Sequence, residues 1–179
     1  MASYVAFLRG VNLGPRNKIA MPALRELATG LGYTDVATHI NSGNLIFDST
    51  KKAATLEREI TAAIAETFGF KIDVAVRTPA QLKKLLADNP YPDGNPSQVT
   101  IAFLTKAAPA TGKEKVAAIA TEAEPFTFAG QDVYVHYSDG LGNSKLAEKF
   151  SAIIGVSSTV RNINTVTKIV ALCEKRGSS

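Results

Sequence analysis

The stretch "DVATHINSGNLIFDS", residues 35–49, decides the fold. It reads as a strand, a tight turn at Asn41-Ser42-Gly43 and a second strand, because Asn and Gly accept the backbone angles that a hairpin turn demands. Working outward, Leu24, Leu27, Ala28 and Leu31 share one helical face upstream, and Pro22 suits a first turn, so 21–31 reads as a helix. Downstream, Leu56, Ile60, Ala63, Ile64 and Phe68 mark a second helix over 51–68. Apolar runs at 3–9 and in "KIDVAVR", residues 71–77, supply a strand at either end. The order is βαββαβ.

The second half repeats it. Thr78-Pro79-Ala80-Gln81 has the form of a capping box, and its helix carries Leu82, Leu85 and Leu86. That helix empties into "DNPYPDGNPS", residues 88–97, too rich in Pro, Asn and Gly for regular structure. A domain boundary is therefore placed at 89–97, between a first domain over 1–88 and a second over 98–179. "QVTIAFLT" is a strand, 112–122 an Ala-rich helix, and "PFTFAGQDVYVHY" a hairpin turning at Ala129-Gly130-Gln131. A helix over 144–154, the strand "SSTVR" and a helix over 163–175 complete the chain, and Ala6-Phe7-Leu8 recurs as Ala102-Phe103-Leu104. The expected class is α+β: two tandem ferredoxin-like βαββαβ units, each a four-stranded antiparallel sheet with helices on one face and an appended helix.

Strand alternation adds a further expectation. The first and fifth strands are apolar on both sides, so both sides are covered. Helices cover one face only; the outer faces are expected to meet each other or a second chain, the latter giving a homo-oligomer.

Composition excludes some classes. The chain is 45% hydrophobic and 20% charged, with a net charge of +4. Its mean hydropathy of +0.03 and isoelectric point near 9.2 suit a globular, mildly basic protein. Cys173 is the single cysteine, on the stripe Val166, Ile169, Val170, Cys173, which excludes an internal disulfide and a zinc cluster. Arg9 ends the first apolar run after five residues, unlike a signal peptide, and no run reaches the length of a membrane span. A cytoplasmic protein with no membrane partner is expected.

Polar residues gather at two places. With sheet order 4-1-3-2, the first strand's exit lies beside the third strand's entrance. "RGVNLGPRNK", residues 9–18, then meets the hairpin turn: Arg9 and Lys18 attract an anion, while Asn12, Ser42 and Asn44 orient it. The same residues also suit plain hairpin and loop chemistry. The second gathering is "SDGLGNSKL", residues 138–146, where Asn143, Ser144 and Lys145 open a helix, joined by Arg161, Asn162 and Asn164 at the last strand's exit. It lacks the third glycine of a dinucleotide fingerprint and the spacing of a Walker loop, and Ser144 and one of the two Asn also suit plain N-caps.

Reaction chemistry is not visible. His39 and His136 stand on strands without ligand-spaced partners, no carboxylate pair sits at either rim, and Glu57, Glu59 and Glu66 read as solvated helix faces. No metal, cofactor or catalytic residue is assigned. Lys51-Lys52, Lys83-Lys84 and Lys113-Lys115 read as solvated lysines.

With "RGVNLG…K…MPALRELATGLGY", "THINSGNLIF" and "SKL…STVRNINTVTKIVAL" in view, the chain resembles, over nearly its full length, the bacterial family DUF1697, of unknown function. The matching blocks are Arg9-Gly10-Val11-Asn12, Ser42-Gly43-Asn44 and Thr159-Val160-Arg161-Asn162. The resemblance implies a cytoplasmic tandem ferredoxin-like protein and no activity or catalytic residue. The family's usual last block bears a Trp; here Asn162-Ile163-Asn164 stands in its place.

The leading expectation is a binding module for a phosphate- or carboxylate-bearing ligand, such as a nucleotide or nucleic acid. One alternative is an enzyme acting on a phosphorylated substrate through Arg and Lys electrostatics. Another is a protein-interaction module without a small ligand. Base stacking on Phe7 and Phe47 is a lesser option, since both share strands with apolar neighbours.

Overall fold

The computed structural model describes residues 1–177 of the 179-residue chain. Two compact units emerge, one of Met1–Lys83 with the residues from Ile169 on, the other of Lys84–Lys168. The first contains β1 (Ala2–Leu8), α1 (Met21–Gly30), β2 (Thr34–His39), β3 (Asn44–Ser49), α2 (Ala53–Phe68), β4 (Val74–Arg77) and the start of α3 (Pro79–Ala87). The second contains β5 (Val99–Leu104), α4 (Ala110–Ile119), β6 (Phe126–Ala129), β7 (Asp132–His136), α5 (Lys145–Ile153), β8 (Ser158–Asn162) and the start of α6 (Ile163–Gly177). Strand orders are β2-β3-β1-β4 and β6-β7-β5-β8, and every pair is antiparallel. The chain is α+β with two tandem ferredoxin-like sheets.

In the first unit, Ala6, Leu8, Leu45, Phe47, Val74 and Val76 pack against Leu24 and Ala28 of α1 and Leu56, Ile60 and Ile64 of α2. The three α2 residues recur at spacings of four, which sets them on one stripe. Tyr33 stacks on Phe47, with ring centroids 4.4 Å apart. In the second unit, Ala102, Leu104, Val133 and Val135 pack with Val116 of α4 and with Leu146, Phe150 and Ile154 of α5 or its end. On the opposite faces, Val5, Phe7, Ile46, Ile101, Phe103 and Tyr134 are buried too, as two-sided apolar strands require.

The repeat extends into the ladders. Val5 pairs with Arg77 as Ile101 pairs with Arg161, and Phe7 pairs with Asn44 as Phe103 pairs with Asp132. The capping box forms: the Thr78 N–H donates to Gln81 Oε1 at 2.8 Å, and the Gln81 N–H to Thr78 Oγ1 at 3.2 Å. α4 begins two residues before the expected start and ends at Ile119, because the Thr121 N–H is taken by the Glu124 side chain instead of continuing the helix. The division between units falls within α3 and α6 and not in the 89–97 loop. In the first unit, Lys83 of α3 pairs with Glu174 at 2.6 Å, and Arg176 pairs with Asp35 and Asp48 at 2.9 and 3.5 Å.

Candidate functional site

β1 exits the first sheet beside the hairpin turn. The Leu8 N–H donates to the Gly43 carbonyl at 2.9 Å, and the Arg9 N–H to the Asp73 carbonyl at 3.0 Å. Gly43 permits this approach: at φ +87 a Cβ would lie 2.7 Å from Val11 Cγ2 and 2.9 Å from Leu8 Cβ. Asn12 then ties three segments together. Its Nδ2 donates to the carbonyls of Ile19 (2.9 Å) and Asn41 (2.7 Å), and its Oδ1 accepts from the Ile19 N–H at 2.9 Å. The Asn12 N–H meets the Asn17 carbonyl at 3.0 Å, closing the loop on itself.

Asn12 thus braces the rim with its carboxamide and sits at φ +58, a conformation that Asn accepts more readily than most residues. Asn44 is fully buried; its Nδ2 donates to the His39 carbonyl at 2.9 Å and to Ser42 Oγ at 3.1 Å. Arg9 remains about half exposed and lies 3.5 Å from Asp73. Arg16 and Lys18 are exposed. The topology therefore brings the predicted segments together: Asn12 and Asn44 hold the backbone, Ser42 accepts from Asn44, Arg9 pairs with Asp73 while half exposed, and Arg16 and Lys18 are exposed. Arg16 belongs with Arg9 and Lys18, although sequence reasoning passed over it; its place in "RGVNLGPRNK" was the available signal.

The second gathering lies at the entrance of β5, where Thr100 pairs with Asn162 and Val99 with His136. In the frame of the repeat this is the opposite end from the first rim. Ser144 N-caps α5, accepting from the Ala147 N–H at 3.0 Å and donating to the buried carboxylate of Glu124. Asn162 Oδ1 accepts from the Thr165 N–H at 2.9 Å in the first turn of α6. Asn164 Nδ2 donates to Ser97 Oγ at 2.9 Å. Ser144 and Asn164 thus turn to separate partners, while Asn143 and Lys145 are exposed.

Arg161 is buried, and desolvation lowers its pKa to about 10. Its Nη1 donates to the Val160 carbonyl at 2.8 Å. Arg77, at the equivalent register in the first sheet, is also buried and donates to the Val76 carbonyl at 2.9 Å. Sequence reasoning missed Arg77, and only the ladder registers reveal the equivalence.

Further titratable groups are structural. Glu57 Oε1 accepts from the Val76 N–H at 3.0 Å on the edge strand β4, and burial raises its carboxyl pKa against the pull of Arg77. Burial also raises Tyr33, with Glu59 adding to it, and Tyr137, with Glu124 adding to it. Phe7 and Phe47 are fully buried, so neither can stack on a base. Among the described residues, no group of three or more His, Cys, Asp or Glu could hold a metal ion. Among them too, no helix is long and apolar enough to cross a membrane.

No curated protein matches the chain. Among solved structures, it is similar to the conserved bacterial protein SP0830 from Streptococcus pneumoniae, with a TM-score of 0.75 and 22% sequence identity. The match covers 94% of this chain and 97% of that one, and at this identity it speaks for the fold alone. A family profile described as a protein of unknown function matches residues 1–134, three quarters of the chain. By that match, the chain belongs to the DUF1697 family.

Proposed function

We propose that the chain is a binding module for an anionic, phosphate- or carboxylate-bearing ligand, taken at the rim where β1 leaves the first sheet. The observation that carries the reading is the Asn12 clamp: three side-chain hydrogen bonds hold a loop whose outward groups include Arg9, Arg16 and Lys18. Cations carried on a braced backbone lose less entropy on meeting an anion than cations on a mobile loop do. Arg16 and Lys18 lie within the braced span between Asn12 and Ile19, and Arg9 lies just before it.

The test is thermal unfolding with inorganic pyrophosphate at low salt. Wild type should gain Tm with pyrophosphate, and added salt should erode the gain. An Arg16→Glu/Lys18→Glu variant should lose the gain while its ligand-free Tm stays near wild type, because exposed substitutions usually change stability by no more than about 0.5 kcal/mol. A wild-type Tm indifferent to pyrophosphate overturns the reading.

A further inference from the structure

The same rim carries two outward apolar side chains. Leu13 is 72% exposed and Ile40 is 52% exposed. They follow and precede the two residues joined by the 2.7 Å bond from Asn12 Nδ2 to the Asn41 carbonyl, so they stand on neighbouring loops. Ile40 also has φ +51; the other non-glycine residues at positive φ among the described residues are Asn12, Asn17 and Asp35. A β-branched residue in that region is strained, and its exposed side chain is poorly hydrated. Asn or Gly at position 40 would remove both costs. Both costs fall on a side chain that stands exposed on the rim, which points to a contact outside the chain.

We infer that Leu13 and Ile40 dock this rim onto an anionic lipid surface, with Arg9, Arg16 and Lys18 meeting headgroup phosphates. The inference rests on the anion reading above and names the source of the anion. Two arguments select lipid over another occupant. The side chains are largely exposed, so they suit a medium that deforms around them. Cations beside apolar tips also match a boundary where negative headgroups overlie acyl chains. Such a contact penetrates only to the headgroup boundary and needs no spanning helix.

The experiment is co-sedimentation of the full chain with vesicles of phosphatidylcholine alone or mixed with phosphatidylserine, beside the pyrophosphate Tm measurement. Wild type should pellet with the mixed vesicles only, and affinity should fall about fivefold for each cation removed. A Leu13→Ser/Ile40→Asn variant should lose vesicle binding yet keep its pyrophosphate response. Its ligand-free Tm should rise, because position 40 is relieved; this distinguishes a lost contact from a damaged fold. Undiminished pelleting of that variant overturns lipid docking. Absence of wild-type pelleting with the pyrophosphate response intact overturns it too, and leaves the anion reading standing. Loss of both wild-type responses overturns both.

Discussion

Asn12 and Gly112 show how much single side chains decide here. Asn12 spends its carboxamide on the Ile19 and Asn41 carbonyls and the Ile19 N–H while its backbone is left-handed. Asn12→Ala should cost about 2–4 kcal/mol in urea unfolding, from lost hydrogen bonds plus the left-handed penalty. Asn12→Gly, which keeps the angle but not the bonds, should fall between. An Asn12→Ala stability equal to wild type would mean that the loop needs no clamp. Gly112 lies where α4 meets the end of α5: a Cβ there would come 2.2 Å from the Ile154 carbonyl oxygen. Gly112→Ala should therefore lower stability by roughly 1–3 kcal/mol, measured the same way, by forcing the helices apart. Neither role was legible beforehand. "RGVN" identifies Asn12 as a loop residue, but its acceptors lie up to 29 positions away.

At the scale of elements, α2 packs on the first sheet and also serves its edge. Glu57 projects from α2 to accept the Val76 N–H of β4, an edge-strand donor that would otherwise need another partner. Burial raises the Glu57 carboxyl above 4.5, so the folded state keeps a proton that the unfolded state has already released. Its contribution to stability is therefore fully present below pH 4.5 and is lost as pH rises through the folded value. Glu57→Gln keeps an acceptor for Val76 and removes this titration. Urea unfolding across that pH window should show the variant gaining on wild type as pH increases; a constant difference would contradict the assignment. The helix over 51–68 was plain from its apolar spacing, but periodicity reads Glu57 as solvated. The correction comes from β4 passing beside it.

For the whole molecule, three of the five tyrosines hold their protons beyond the ordinary range. Burial pushes Tyr134 up to about 12 and raises Tyr33 and Tyr137 further. A raised phenol contributes stability that is present below pH 10 and lost as pH climbs through its folded value. Alkaline titration should show the tyrosinate absorbance of these three rings appearing only well above pH 10, together with loss of helical circular dichroism. A single smooth stage near pH 10 would mean that these rings are accessible. The repeat belongs to this scale as well. Arg77 and Arg161 occupy one register in two sheets, yet "VAVR" and "STVRN" share too little to announce it.

Sequence alone determined the element order, the hairpin at Asn41-Ser42-Gly43, the capping box at Thr78 and the meeting of the first loop with that hairpin. Each follows from local spacing, turn chemistry or strand topology, whose physical range is a few residues or one sheet. Tertiary structure decided which polar side chains are used up: Asn12 and Asn44 in bracing, Ser144 in capping, Arg161 in burial. Hydrogen bonding and desolvation depend on partners distant in the chain, and residue type does not reveal those partners. Only the assembled rim separates the cations that face water from the amides that hold it in place.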